Sequence, residues 1–362
     1  MKRVCLKCGR TTLGGDLFCQ ETYCPAEMSP IILSYGEWFG DIEIVKPVIV
    51  LRSSVLYEAV HQKETVYLKV AHPGMQNKER LKREALFLQF LQLNKIKCEN
   101  LPTLLPPYAF TTVAVDAYGK TMLRDQLLYF YLFEYFEGQP LRDMLLENPQ
   151  LWINHVGWLS VSLATAINCM HLQGLFHYGL SPEDVLVRID EDPSVPRVLL
   201  FDFGLASDKQ NLRRNWYDDF ALPAYLAPEL MNDHNIRGDY RTDVYGLGLT
   251  LYEMLVGQPV YPFKLKGDAE VREAVRKNNR VRMNRTEDVG QIASLTLQAV
   301  HPHPERRFPT GADFAEALIQ FFGTPPPPKK RRRLSLHTLV WIAIALLAIA
   351  FLVALALSFT QS

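Results

Sequence analysis

The sequence has no surplus of either charge: 39 lysines and arginines stand against 39 aspartates and glutamates, for a formal net charge of zero. A surface built throughout to hold nucleic acid needs a strong basic excess, so the balance argues against that class. Cysteine is scarce, six in 362 residues, too few for a disulfide scaffold of this length. The opening Met1-Lys2-Arg3-Val4-Cys5 lacks the apolar run of a signal peptide, which predicts a reducing compartment for the bulk of the chain. No internal repeat is visible, and from Leu334 to Ser362 there is no Asp, Glu, Lys or Arg at all.

Hydrophobic residues make up 48% and aromatics 11%, a globular composition and not a disordered one. The length allows one large domain or a few smaller ones. Charge is unevenly spread: five of the 39 bases form one block, Lys329-Lys330-Arg331-Arg332-Arg333, and the 34 that remain leave the rest mildly acidic. The block follows a stiff run of prolines at 325–328 and precedes an unbroken apolar stretch from 339 to 357. About 20 apolar residues cross a bilayer as a helix. A basic block beside them marks the cytoplasmic side and attracts anionic lipid. Such a block also reads as a nuclear localisation signal, but its place beside the apolar run favours the membrane. The expectation is a juxtamembrane linker over 323–335 and a single transmembrane helix over 336–359. This tail anchor would make a single-pass membrane protein with most of the chain in the cytoplasm.

Four of the six cysteines fall in the first 24 residues. Cys5 and Cys8 form a Cys-x2-Cys knuckle followed by Gly9, whose permissive backbone lets amides turn toward the sulfurs. Cys19 and Cys24 form a second, wider pair ten residues on. Two close thiolate pairs can complete a tetrahedral zinc site with no open position, hence a structural one. A segment of about 30 residues cannot bury enough apolar surface to fold alone, so the metal would supply its folding energy. Residues 1–30 resemble a zinc ribbon with Zn2+ on Cys5, Cys8, Cys19 and Cys24. Cys98 and Cys169 lie apart in apolar contexts and read as inert packing residues.

Between 37 and 322 a series of short motifs recurs in a specific order. Val66-Tyr-Leu-Lys69-Val70 is a strand with a lysine in its middle, and Glu79 to Leu88 is a helix carrying Glu84. Tyr131-Leu-Phe-Glu134-Tyr135-Phe136-Glu137-Gly138 follows, then His177-Tyr-Gly-Leu-Ser-Pro-Glu-Asp184 and Asp202-Phe203-Gly204. Ala227-Pro228-Glu229, Asp243-Val-Tyr-Gly-Leu-Gly and Pro304-Glu-Arg-Arg307 close the series. Each is weak alone; the order and spacing together resemble a protein kinase of the bacterial Ser/Thr type. The resemblance implies an α+β, two-lobed fold over 37–322 and a nucleotide cofactor, ATP with Mg2+. It further implies that Lys69 holds the α and β phosphates with Glu84 as its helix partner, and that Asp202 ligates magnesium. Glu134 to Phe136 would be the hinge that receives adenine, and Asp184 would stand where a second metal ligand is usually Asn. Glu229 and Arg307 would pair to brace the C-terminal lobe, with Asp243 holding the catalytic loop's backbone.

The departures from that family's pattern carry the functional reading. In the loop beginning at His177, the aspartate that accepts the substrate proton is replaced by Gly179, and the lysine that neutralises the transferring phosphoryl by Ser181. Ala221-Leu222 replaces the usual Gly-Thr before Ala-Pro-Glu, and Tyr178 replaces an arginine. The phosphate loop, within Val50 to Ala59, contains no glycine, so Cβ atoms would crowd the approach of amides to phosphate. These losses predict a pseudokinase: a membrane-bound signalling or scaffolding module that holds a protein partner, with weak or absent ATP binding. The alternative is an active Ser/Thr kinase with an atypical catalytic loop, because a general base contributes only about 10² to 10⁴-fold and positioning carries much of phosphoryl transfer. Glu183 and Asp184 are the carboxylates that could replace the missing one. Lys2, Arg3, Lys7, Arg10, Phe18 and Tyr23 are too thin a patch to favour nucleic acid.

Overall fold

The computed structural model describes residues 2–4, 11–13, 30–106, 116–149, 151–191, 194–209, 211–212, 217, 220–231, 238–263, 267–277, 281–283 and 289–327. The chain divides into a unit spanning Met1–Pro325 and a short one spanning Pro326–Ser362, and every described helix and strand lies in the first.

A small antiparallel sheet opens the chain, with β1 (Lys2–Val4) paired to both β2 (Thr11–Leu13) and β3 (Ile31–Ile32). Cys5 and Cys8 fall on the connection between β1 and β2, and Cys19 and Cys24 on that between β2 and β3; all four lie outside the described residues. So does the segment 336–359 expected to span a membrane. Among the described residues no helix is long and apolar enough to cross one.

The N-terminal lobe is an antiparallel sheet in the order β4 (Trp38–Phe39), β5 (Ile42–Val50), β6 (Ser54–His61), β7 (Glu64–Ala71), β10 (Gln126–Glu134), β8 (Leu104–Leu105), with β9 (Gly119–Leu123) also on β10. Alternation of side chains along these strands divides the sheet between two cores. Val66, Leu68, Val70, Phe130 and Leu132 face an outer apolar cluster. Leu56, Tyr67, Tyr131 and Phe133 face the main core, where helix α1 (Met75–Leu93) contributes Leu81, Ala85 and Leu88. Burial of each such side chain stabilises by roughly 1.5–3 kcal/mol, which holds α1 on the sheet although Gly74 offers it no side-chain cap.

The C-terminal lobe is mainly helical. β11 (Gln139–Pro140), β12 (Val185–Glu191) and β13 (Ser194–Leu200) form a small antiparallel sheet. Around it lie α2 (Leu141–Glu147), α3 (Ile153–Leu172), α4 (Tyr240–Val256), α5 (Asp268–Lys277), α6 (Gly290–Ala299) and α7 (Gly311–Phe322). Helices α3 and α4 are buried along almost their whole length and so form the lobe's centre. Asp239 and Thr242 make a reciprocal capping box at the start of α4. Gly257 ends that helix at φ 79°, against Pro149, where a side chain would be both strained and blocked. Glu229 and Arg307 form the brace expected of them, a bidentate pair at 2.7 and 2.9 Å. The arginine also donates to the carbonyls of Arg241, His301 and Pro302.

One expectation is overturned. Cys98 and Cys169 are not separate packing residues: they form a disulfide, with Cα atoms 6.3 Å apart across 71 residues of sequence. The loop after α1 packs down on α3, where the Asn100 side-chain amide also donates to the Ser162 carbonyl at 3.1 Å. That contact brings the two sulfurs together, and nothing local to either cysteine announces it.

Candidate functional site

The strand β7 presents Lys69 to the space between the lobes, and its ammonium is fully buried. It donates to Glu84 Oε2 of α1 at 2.5 Å and to Asp202 Oδ1 just beyond β13 at 2.6 Å. The Tyr131 hydroxyl, directly across the β7–β10 pairing, donates to the same Glu84 oxygen at 2.9 Å. Burial pushes the Glu84 carboxyl up to about 7, with Lys69 opposing it. Asp202 is half-buried, which acts to raise its pKa, but Lys69 and Arg80 outweigh that and lower it to about 2. Arg80, one turn before Glu84, is buried with its guanidinium stacked 4.3 Å over the Phe220 ring. Its charge faces Asp202, Glu84 and Asp184. The lysine, its glutamate and the aspartate predicted from the motifs are thus assembled.

The loop from His177 to Asp184 is held as predicted, with Gly179 and Ser181 at the two positions that depart from the family's pattern. Asp243 of α4 accepts the amides of His177 and Tyr178 at 2.8 and 2.7 Å, and takes a third bond from the His171 ring. Those bonds hold Tyr178 in the left-handed region, φ 60°, a conformation that costs a tyrosine about 1–3 kcal/mol. At Gly179 a Cβ would lie 2.9 Å from Leu205 Cδ1, the far end of a flexible side chain, and the glycine itself presents no side chain to the cavity that it lines. Ser181 caps the following 3-10 turn: its amide donates to Asp184 Oδ2 at 2.6 Å and its hydroxyl accepts from the Glu183 amide at 3.3 Å. Burial, and then Asp202, push the Asp184 carboxyl well up. Glu183 leans toward Arg142, 4.0 Å away, an arginine itself bound to Glu253 and the Tyr225 hydroxyl. Of the two carboxylates that could replace the missing one, Asp184 accepts from the Ser181 amide, while both it and Glu183 line the cleft.

The glycine-free segment is more altered than its composition suggests. Strands β5 and β6 are joined by a tight turn with only Arg52 and Ser53 between Leu51 and Ser54, closed by the Leu51 amide donating to the Ser54 carbonyl at 2.9 Å. His72 fixes the turn, its amide donating to the Ser53 carbonyl at 2.8 Å and its Nε2 bonding the Leu51 carbonyl at 2.9 Å. Arg52 reaches across to the other lobe. It donates to the Ala221 carbonyl at 3.0 Å and forks onto Asp268, the first residue of α5, at 2.7 and 3.0 Å. Beneath it, a cavity lined by Arg80, Gly179, Ser181, Asp184 and Asp202 leaves about 30 Å³ for the centres of water-sized molecules, room for about two waters.

The predicted hinge begins at Glu134, which ends β10 and pairs with Val66. Phe136 follows, under the Arg188 guanidinium at 5.0 Å. The Phe136 carbonyl is already bonded, accepting from the Tyr67 hydroxyl at 2.7 Å. Tyr67, 1% exposed, lies against Phe133 and Tyr135 with ring centroids 5.2 and 5.1 Å away. The motifs gave Tyr67 no role; its place two residues before Lys69 was the available signal.

The sequence matches the protein kinase domain over residues 54–339, most of the chain, and the protein belongs to the protein kinase family. It is 29% identical over 190 residues to the probable serine/threonine-protein kinase CPE1738 of Clostridium perfringens, covering 51% of this chain and 26% of that protein. To the serine/threonine-protein kinase PknB of Mycobacterium tuberculosis it is 28% identical over 222 residues, 59% of this chain and 34% of that protein. The chain thus spans between a quarter and about a third of the length of these curated relatives. The crystal structure of the PknI kinase domain from M. tuberculosis, a point mutant, superposes with a TM-score of 0.50 at 19% identity, covering 80% of this chain and 99% of that one, a likeness of fold.

The family uses ATP with Mg2+. Lys69, Glu84 and Asp202 fit that ligand; the remainder of the cleft does not. One hinge acceptor, the Phe136 carbonyl, is taken, the phosphate loop is a two-residue turn, and the carboxylates already face Arg80. Among the described residues no group of three or more His, Cys, Asp or Glu is placed to hold a metal ion.

The turn at Arg52 makes stability depend on pH through His72. Burial lowers its pKa from 6.5 to about 4. The unfolded chain therefore takes up this proton at a higher pH than the folded one. Stability carried by the neutral ring is complete above pH 6.5 and is lost as pH falls toward 4, by about 3 kcal/mol in all. Urea unfolding of wild type and His72→Gln at stepped pH should show a steeper acid loss in wild type; equal slopes would refute the assignment.

Proposed function

We propose that this protein is a pseudokinase: a kinase-shaped module that serves in signalling or scaffolding by holding a protein partner and transfers no phosphoryl group. The observation that carries the reading is Leu205 packed against Gly179. Where an acceptor carboxylate is needed there is no side chain, and the nearest neighbour to a side chain there would be an apolar one. Ser181 supplies no cation for the transferring phosphoryl, and its groups are spent on capping a turn. The assembled Lys69, Glu84 and Asp202 favour the alternative, an active Ser/Thr kinase with an atypical catalytic loop. Those three groups serve binding as well as transfer, so they do not by themselves restore chemistry. Incubation with γ-labelled ATP and Mg2+ should give no labelling of the protein or of generic protein substrates. Robust labelling abolished by Asp202→Ala would overturn the reading and restore the enzyme.

The N-terminal segment is read as a structural zinc ribbon. Its support is that the two cysteine pairs fall on the two connections of one three-stranded sheet, which gives both pairs a common frame. Elemental analysis should find one Zn2+ per chain, lost in a Cys5→Ser/Cys8→Ser double variant. Zinc-free protein, or zinc retained by that variant, refutes the ribbon.

The basic block and apolar run are read as a tail anchor that keeps the kinase-like domain on the cytoplasmic face. Full-length protein should sediment with membranes and resist carbonate, while a chain ending at Thr324 should stay in the supernatant. Equal sedimentation of the two would move the anchor elsewhere.

A further inference from the structure

Lys69 and the hinge are the two ends of any nucleotide that this cleft could hold, phosphates at one and base at the other. Tyr67 lies between them. Residues two apart on a strand share a face, so β7 aims Tyr67 and Lys69 into the same space. The Tyr67 ring is enclosed by Phe133 opposite it and by Tyr135. Its hydroxyl spans the gap to the Phe136 carbonyl, and burial raises its pKa, which keeps the proton in place to be donated. At the phosphate end, Arg52 ties the β5–β6 turn to Ala221 and Asp268 of the other lobe. A small polar cavity remains beneath it.

We propose that Tyr67 is a built-in plug for the base position of the nucleotide cleft, and that Arg52 latches the cleft shut over the phosphate position, so that the folded protein excludes purine nucleotides. This deepens the pseudokinase reading and rests on it only for the assignment of the cleft. The plug satisfies by itself what a bound base would satisfy: it covers the apolar floor with an aromatic ring and gives the hinge carbonyl a donor. A purine would have to displace the ring from the floor and the hydroxyl from the Phe136 carbonyl. The latch adds a second closure, since a triphosphate cannot enter while a bidentate arginine–carboxylate pair spans the mouth.

The two closures are separable by ligand. In thermal-shift titrations of the full-length protein, adenosine tests the base position, and ATP with Mg2+ tests the whole cleft. Wild type should show no saturable shift with either. Tyr67→Ala should gain a saturable shift of a few degrees with adenosine, as expected for a ligand that binds only the folded state. Adding Arg52→Gly should give a further gain, of about tenfold or more in apparent affinity, for ATP but not for adenosine, a tenfold change being about 1.4 kcal/mol. Tyr67→Phe keeps the ring and should stay closed. Tyr67→Leu, which keeps apolar bulk but not the reach to the hinge, should open and replaces the alanine variant if that one fails to fold by circular dichroism. A saturable shift in wild type, or a folded Tyr67→Ala or Tyr67→Leu protein that still ignores adenosine, overturns the proposal. Binding by wild type without γ-phosphate labelling would sink the plug and leave the pseudokinase reading standing; labelling would sink both.

Discussion

Lys69 is the constraint on which the rest of the structure depends. An ammonium with no solvent exposure loses several kcal/mol of hydration, and it survives in a folded protein only when carboxylates surround it. Here one comes from the helix of the N-terminal lobe, Glu84, and one from the C-terminal lobe, Asp202. Satisfying one lysine therefore fixes the rotation of α1 on its sheet and the approach of the two lobes together. Arg80 makes this a larger cluster. Burial and Asp202 push Asp184 toward its neutral form and burial raises Glu84 as well, so Asp202 carries the firmest negative charge beside Lys69 and Arg80. The cleft's charges close among themselves.

The same cluster has a role in the scaffold that does not depend on chemistry. The carboxylate–lysine core is also a lobe-to-lobe tie, so it is retained for stability whether or not nucleotide binds. Breaking a buried pair by removing one partner costs about 3–5 kcal/mol, a large part of the 5–15 kcal/mol that a domain has to lose. Gly179 and Ser181 carry no such load. One sits against an apolar neighbour and the other caps a turn. The same logic separates Asp243, which orders three polar groups at the start of the loop, from the residues that it orders.

Much of this was legible in the sequence. The strand lysine, its helix partner, Asp202, Asp243 and the Glu229–Arg307 brace all sit where the motif order placed them, because each is a local pattern with a fixed partner elsewhere in the fold. The fate of the loop at Val50 to Ala59 was only half legible. The missing glycines were plain, but that the turn is shortened to two residues, and that Arg52 crosses to α5, depends on contacts 169 and 216 residues away. Leu205 against Gly179 was hidden in the same way. Cys98 and Cys169 misled because each has apolar neighbours in sequence, and only the packing of the loop after α1 on α3 reveals the pair.

Tyr67 is the instructive case, because its position was visible and its meaning was not. Strand alternation alone puts it on the lysine's face, and tyrosine is an ordinary strand residue. What the sequence could not supply is the distance to the hinge: the hydroxyl reaches Phe136 only because β7 and β10 pair with Tyr67 opposite Phe133. A shift of that register by one residue would turn the ring to the outer core and leave the hinge carbonyl open. The closed cleft is thus a property of sheet register as much as of residue identity. The same pairing sets Tyr131 opposite Lys69, so the contact that supports the buried charge and the contact that fills the base position come from one alignment of two strands.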